Sequence, residues 1–389
     1  EKHMDQFDSI RPYNDSEVAS VLQRLLTDAD FLSIITQYRF PKASRYLGWL
    51  LRPVIARKLR SELASINSVA ALQERVEPYV GRSITQATDG ISFSGIEHVQ
   101  ADQPHLYLAN HRDIVMDPAF INYALFQAGH KTPRIAIGDN LLQRPFVSDL
   151  MRINKSFIVH RSLTNRREKM AAFQLLSAYI NHSILNDRES IWIAQAEGRA
   201  KDGDDRTESA ILKMFHLSRK TEDFQAVIAS LNLMPVAISY EYDPCDIAKA
   251  RELYIRASTG EYTKQVGEDD ASIALGITGY KGRVHVHFCP SLSDGFSDAK
   301  QLAALVDQEI WRDYRLFPVH YLAWAMWQER DTALAVPAIT EVFDQQDILT
   351  AQQEWQRRLS ACPAEHRPYL IMQYAMPLEN QYRSMTPNA

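Results

Sequence analysis

Cysteine is scarce in this chain: Cys245, Cys289 and Cys362 are the only three in 389 residues. They lie far apart, show no C-x-x-C spacing and leave an odd thiol over. That argues against a disulfide framework and against a zinc site, and it fits a reducing compartment. Long apolar runs are missing as well, and none approaches the roughly 20 residues that cross a bilayer. The chain opens Glu-Lys-His-Met-Asp-Gln-Phe-Asp, without the apolar stretch of a signal peptide. Glu1 to His3 reads as a cloning remnant ahead of Met4. Positive charge is not in excess either. A formal net charge of −5 gives no global reason to bind nucleic acid, so attraction to phosphate or to an anionic membrane has to come from local clusters. Internal repeats and low-complexity tracts are absent. The expectation is a soluble, cytoplasmic protein.

What is present suits a globular chain with a sizeable core, with 46% hydrophobic and 23% charged residues. Its length allows one large domain with helical additions, or two domains. Residues 15–80 read as helical, opening at Asp15-Ser16-Glu17-Val18, interrupted at Pro41 and resuming over 68–80. From Ile91 the period changes. Short β-rich runs at 91–99, 105–109, 134–137, 156–160, 190–194, 233–242 and 283–288 alternate with helical patterns at 118–129, 166–186, 207–220 and 245–257. That alternation predicts an α/β fold with a mostly parallel central sheet flanked by helices. From Asp298 the pattern is helical again, punctuated by Pro318, Pro337, Pro363 and Pro368, and 383–389 reads as a frayed end. The expected organisation is a helical region over 1–87, an α/β domain over 88–300 and a helical region over 301–389.

In such folds chemistry gathers in loops beyond the carboxyl ends of strands. Four blocks end there. The first is Ala109-Asn110-His111-Arg112-Asp113-Ile114-Val115-Met116-Asp117-Pro118. A histidine just past a strand with a carboxylate nearby is what a general base needs, because the carboxylate fixes the tautomer and stabilises the imidazolium. The alternative is a loop histidine beside an unrelated helix cap, since Asp117-Pro118 suits a helix start. The second block, Asn154-Lys155-Ser156-Phe157-Ile158-Val159-His160-Arg161, runs up a buried strand to basic residues, or simply ends at a solvated turn. In the third, Ile191 to Gly203, Gly198 permits a tight turn while Arg199 offers a bidentate fork and Lys201 a point charge for phosphate; a polar loop with ordinary ion pairs is the other reading. The fourth, Leu233 to Glu241, is an apolar strand that lines a pocket or only fills the core.

In this order and at these spacings the blocks resemble those of the glycerolipid acyltransferases, the family of glycerol-3-phosphate and 1-acylglycerol-3-phosphate O-acyltransferases. The resemblance spans about 90–245. It implies a glycerol-3-phosphate acyltransferase-like α/β fold with helical N- and C-terminal additions. The family's first block is Asn-His, four residues, then Asp. Here residues 112–115 are followed by Met116, and the carboxylates stand at Asp113 and Asp117. One inserted residue would bring Asp117 into the family role, with Asp113 as the alternative. Phe157 to Arg161 matches the second block, and Glu197, Gly198 and Arg199 match the phosphate loop. Gln195-Ala196 replaces the Phe-Pro frequent before Glu-Gly in lysophosphatidate enzymes, and the Arg-Ala-Lys-Asp-Gly tail is closer to the glycerol-3-phosphate branch.

The implied chemistry is direct attack by the acceptor hydroxyl on an acyl thioester, carried by acyl carrier protein or coenzyme A, with no covalent acyl-enzyme, no metal and no cofactor. His111 takes the hydroxyl proton and Asp117 orients it. Arg199, Lys201 and Arg161, with Glu197 and Gly198 shaping the loop, hold the phosphate of glycerol-3-phosphate or of its 1-acyl derivative. Segment 45–60 mixes Tyr46, Leu47, Trp49 and Leu50 with Arg45, Arg52, Arg57, Lys58 and Arg60. It reads equally as an interfacial helix on the inner face of the membrane, where Pro53 kinks it or starts a second helix, and as a packed helix with a solvated basic face. Tyr321, Trp324 and Trp327 have helical spacing and read as core. A Ser or Cys hydrolase is disfavoured because no Gly-x-Ser-x-Gly elbow occurs. An inert lipid-binding descendant of the fold rests only on the displaced Asp.

Overall fold

The computed structural model describes residues 5–386, so the stretch from Glu1 to His3, Met4, and the end 387–389 lie outside the described residues. The chain divides into two compact units, 1–80 with 133–179, and 81–132 with 180–389. The divisions fall after residues 80, 132 and 179.

The first α-helix of the smaller unit is Asp15–Leu25. Val18, Val21, Leu22 and Leu25 recur on one helical face. They pack with Ile66, Leu72, Phe146 and Ile153 into one core. The helix Ser44–Leu63 breaks its helical geometry at Leu47, and Pro53 lies inside it. Strands β3 (Arg134–Gly138) and β4 (Ser156–Val159) pair in parallel, with Ile135 opposite Ser156. Between them the helix Pro145–Ile153, absent from the sequence reading, starts on a proline at its first position.

The larger unit holds β1 (Ile91–Ser94), β2 (Leu106–Ala109), β5 (Ile191–Ala194), β6 (Leu233–Tyr240) and β7 (Val284–Phe288). Their order is β1-β7-β6-β2-β5. These strands pair in parallel except β6 with β7, so the sheet is mostly parallel as expected. Every residue of β2, β5 and β6 is buried. Strands covered on both faces read as unbroken apolar runs, which is why they were visible in sequence. β1 is shorter than its run, because a 3-10 turn takes over at Ile96–His98.

Two further helices escaped the periodicity, Phe224–Ser230 and Glu268–Thr278; the first is short and the second is rich in small residues. At the chain's end, Phe317, Trp355 and Tyr374 form a core with Tyr242 and Ala250, with Trp324 and Trp327 against it. The helical tail is therefore continuous with the α/β core. The helix Arg367–Met385 also corrects the expectation of a frayed end over its described part, where Arg383 is paired with Glu379.

His320, buried in this region, has consequences for pH. The Phe317 N–H donates to its Nδ1 at 2.8 Å, a bond that needs a lone pair there. Burial, reinforced by the Arg112 cation, holds the imidazole down at about 3, and Tyr314 and Tyr374 also face it. His105 is lowered to about 4 by burial, with His130 adding to it. Unfolded histidine titrates near 6.5, so between these values the unfolded chain binds protons that the folded one refuses. This contribution to stability is complete above about pH 6.5 and is lost as pH falls. The thermal midpoint should drop from pH 7 toward pH 5. His320→Asn, which keeps an acceptor, should flatten that slope; an unchanged slope would clear His320.

Candidate active site

β2 ends at Ala109, and the next side chain continues its pairing. Asn110 accepts the Ile238 N–H at 2.8 Å and donates to the Ile238 carbonyl at 2.9 Å. A side-chain amide thus stands in for a strand rung on β6. It pins the backbone where His111 leaves the sheet.

His111 Nδ1 lies 2.7 Å from Asp117 Oδ2. The ring meets Trp192 edge to face, with centroids 5.9 Å apart. Its side chain keeps 13% exposure, and no hydrogen bond to Nε2 occurs among the described residues. Asp117 is wholly buried. The same Oδ2 accepts the N–H groups of Arg112 and Asp113 at 2.7 and 3.0 Å, and Oδ1 accepts the Tyr240 hydroxyl at 2.6 Å. Burial and then Asp117 push the Tyr240 phenol well above its usual range, so it stays a donor. A carboxylate with these donors is fixed in position and remains the natural partner of an imidazolium.

The helix begins at Met116, two residues before the expected start at Pro118, so Asp117 sits in its first turn and is not the cap. The capping contacts belong to Asp113, whose Oδ1 accepts from Val115 N and Met116 N at 3.1 and 2.9 Å. Asp113 has no hydrogen bond to His111. Burial and the neighbouring Asp117 raise its carboxyl.

The loop after β5 comes to the same place. Ala200 N–H donates to the His111 carbonyl at 2.8 Å, which sets Arg199 beside the histidine. Gly198 makes the turn with φ +82° and Glu197 points to solvent. Arg199 is half-buried, and its Nη1 is buried without a hydrogen-bond partner among the described residues. Lys201 is already committed to Glu252 at 3.2 Å, a carboxylate that Arg256 shares; a partner so distant in sequence was not visible there. Burial lowers the Lys201 ammonium. Farther along, a Cβ on Gly203 would stand 2.2 Å from the Gln373 carbonyl, so the C-terminal helix backs this loop in direct contact.

Arg161 lies in the smaller unit. Its N–H donates to Asp139 Oδ1 at 3.0 Å, and Asp139 also meets His160 at 3.3 Å.

Sequence reading missed three residues here. Arg112 makes a buried 2.6 Å ion pair with Asp205. Lys249 donates to the Arg112 carbonyl at 2.7 Å and pairs with Asp243. Tyr240 belonged to a block read as pocket or core strand, and only the folded register brings it to Asp117.

Residues 90–239 match the family model described as Acyltransferase. No curated protein matches in sequence. Among solved structures, the chain is similar to the 1-acyl-sn-glycerophosphate acyltransferase PlsC of Thermotoga maritima, at 15% identity and a TM-score of 0.35, over 72% of this chain and 92% of that one. The family read from the four blocks is the family of the matching model. The stretch 90–239, which holds the paired His111 and Asp117 and the Arg199 loop, is the part of the chain that matches an acyltransferase domain.

Proposed function

We propose that this acyltransferase moves a fatty acyl group from a thioester, of acyl carrier protein or coenzyme A, to a hydroxyl of a glycerol phosphate. The observation that carries the reading is the His111–Asp117 contact with Nε2 left open. The acceptor hydroxyl gives its proton to Nε2 as its oxygen attacks the thioester carbon. Asp117 stabilises the resulting imidazolium. Collapse of the tetrahedral adduct breaks the C–S bond, and the proton passes from His111 to the departing thiolate. The ester oxygen is thus the acceptor's, and no acyl-enzyme forms.

Arg199 supports a phosphate on the acceptor. A buried guanidinium N–H without a partner is costly, and an anion beside it removes that cost. Glycerol-3-phosphate and its 1-acyl derivative both supply such an anion. Offering the two acceptors separately, with each thioester, and weighing the products by mass spectrometry decides between them. Transfer to neither refutes the reading. Arg199→Ala should raise the acceptor KM strongly and lower kcat, because a misplaced phosphate also misplaces the hydroxyl. Donor KM should change little. Arg199→Lys should restore only part, since an ammonium cannot fork. An unchanged acceptor KM would assign the loop to something else.

The helix Ser44–Leu63 supports a membrane surface as the place of work. Tyr46, Trp49 and Val54 are 76%, 71% and 64% exposed, and Arg45, Arg52, Arg57, Lys58 and Arg60 are exposed beside them. No helix among the described residues is long and apolar enough to cross a membrane. Aromatics free to enter a bilayer and cations beside them together make the two signals that peripheral binding needs, each cation adding about 1 kcal/mol near an anionic leaflet. Binding should require anionic vesicles and weaken with salt. Replacing Arg52, Arg57, Lys58 and Arg60 with Gln should release the protein in a vesicle sedimentation assay while sparing turnover of a soluble acceptor. Equal binding to neutral vesicles would return the helix to a solvated basic face.

A further inference from the structure

We infer that His287, Cys289 and Asp313 form a site for one divalent zinc-like ion, which ties β7 to the end of the helix Ala299–Asp313. His287 and Cys289 are two residues apart at the end of an extended strand, so their side chains share one face. Asp313 closes the helix that runs back toward them. Asp313 Oδ2 lies 3.5 Å from His287 Nε2 and 3.8 Å from Cys289 Sγ, and all three ligand atoms lie within 4.8 Å of one another. Tetrahedral zinc, with Zn–S of about 2.3 Å and Zn–N or Zn–O of about 2.0–2.1 Å, sets its ligand atoms about 3.3–3.6 Å apart. A small contraction brings the triad to that spacing.

The surroundings fit as well. The other imidazole nitrogen, Nδ1, is bonded to Ser94 Oγ at 2.7 Å, which turns Nε2 toward Asp313; metal-bound histidines are commonly aimed in this way. Cys289 is fully buried, while the side chains of His287 and Asp313 keep 18% and 23% exposure. An ion therefore has an entry side, and a water has a fourth position. Arg312 also touches Asp313 Oδ2 at 2.7 Å, but it forks onto Glu309 at 2.9 and 2.6 Å. It remains paired when Asp313 turns to the metal. On binding, the Cys289 thiol gives its proton to water and coordinates as thiolate.

The same helix supports the site loop at a distance. Asp307 accepts the Thr207 N–H at 2.7 Å and Trp311 donates to the Asp205 carbonyl at 2.8 Å. The inferred ion is a structural tie, and it stands independently of the acyl-transfer reading.

The test uses the full chain, stripped with a chelator and titrated with Co(II), then with Zn(II). One equivalent of Co(II) should bind with a thiolate charge-transfer band and tetrahedral visible bands, and Zn(II) should displace it. Cys289→Ser should abolish the charge-transfer band, while Cys245→Ser and Cys362→Ser keep it. His287→Gln, at the partly exposed edge, should weaken Zn(II) binding by roughly tenfold or more with unchanged far-UV circular dichroism; it decides the matter should Cys289→Ser not fold. No Co(II) uptake by the parent chain, or parental binding by folded His287→Gln, overturns the site.

Discussion

His111→Ala should lower acyl transfer by at least roughly a hundredfold, with circular dichroism and thermal midpoint close to those of the parent, as expected when a general base is lost. The residue lends itself to this test because it holds little of the fold. Its ring contacts Trp192 at one edge and Asp117 through one nitrogen, while the backbone around it is held by Asn110 and Ala200. Single-turnover measurements with preloaded donor should show the loss in the chemical step, with donor binding unaltered. Near-parental turnover by a folded variant would sink the mechanism.

Asp117→Asn should cost between two and four powers of ten in kcat, because an amide cannot stabilise the imidazolium that His111 becomes. Asp117→Ala should lose activity and stability together. It strands the Arg112 and Asp113 N–H groups and the Tyr240 hydroxyl in a buried place, and each orphaned group carries a desolvation penalty. Asp113→Asn should be mild. Its contacts cap the helix and bypass the histidine, and an amide oxygen can accept the same two N–H bonds. Tyr240→Phe should fall between, lowering kcat with a smaller change in KM, since it acts only through Asp117. If Asp113→Asn proves the more damaging, the orienting role moves to Asp113.

The fold was legible where burial dictates composition. β2, β5 and β6 are covered on both faces and carry almost nothing but apolar residues. Helices held by capping and packing, such as Phe224–Ser230 with Asp223 at its N-terminus, left too short a period to see. In the site, what lies close in sequence was readable: His111, two candidate carboxylates and the Arg199 turn. What folding brings from afar was not. Lys201, read as a phosphate ligand, also meets Glu252, and Arg112, to which the sequence reading gave no role, is buried against Asp205. The cysteine reading weighed only thiol-to-thiol spacing. The alternation His285-Val286-His287-Phe288-Cys289 was on view, but Asp313 enters from a separate helix 24 residues beyond Cys289.

The neighbours of β2 also set a timetable. β2 leaves the ribosome before either strand that flanks it, since β5 begins at Ile191 and β6 at Leu233. Until then a fully apolar segment has both edges open, the condition in which nascent chains aggregate or engage chaperones. Residues 133–179, which intervene, belong to the other unit and give β2 no partner within its own. The Asp117 carboxylate waits as well, because the hydroxyl that completes its cage is synthesised 123 residues later. A chain stalled before Tyr240 would carry both members of the dyad without the setting that makes them one.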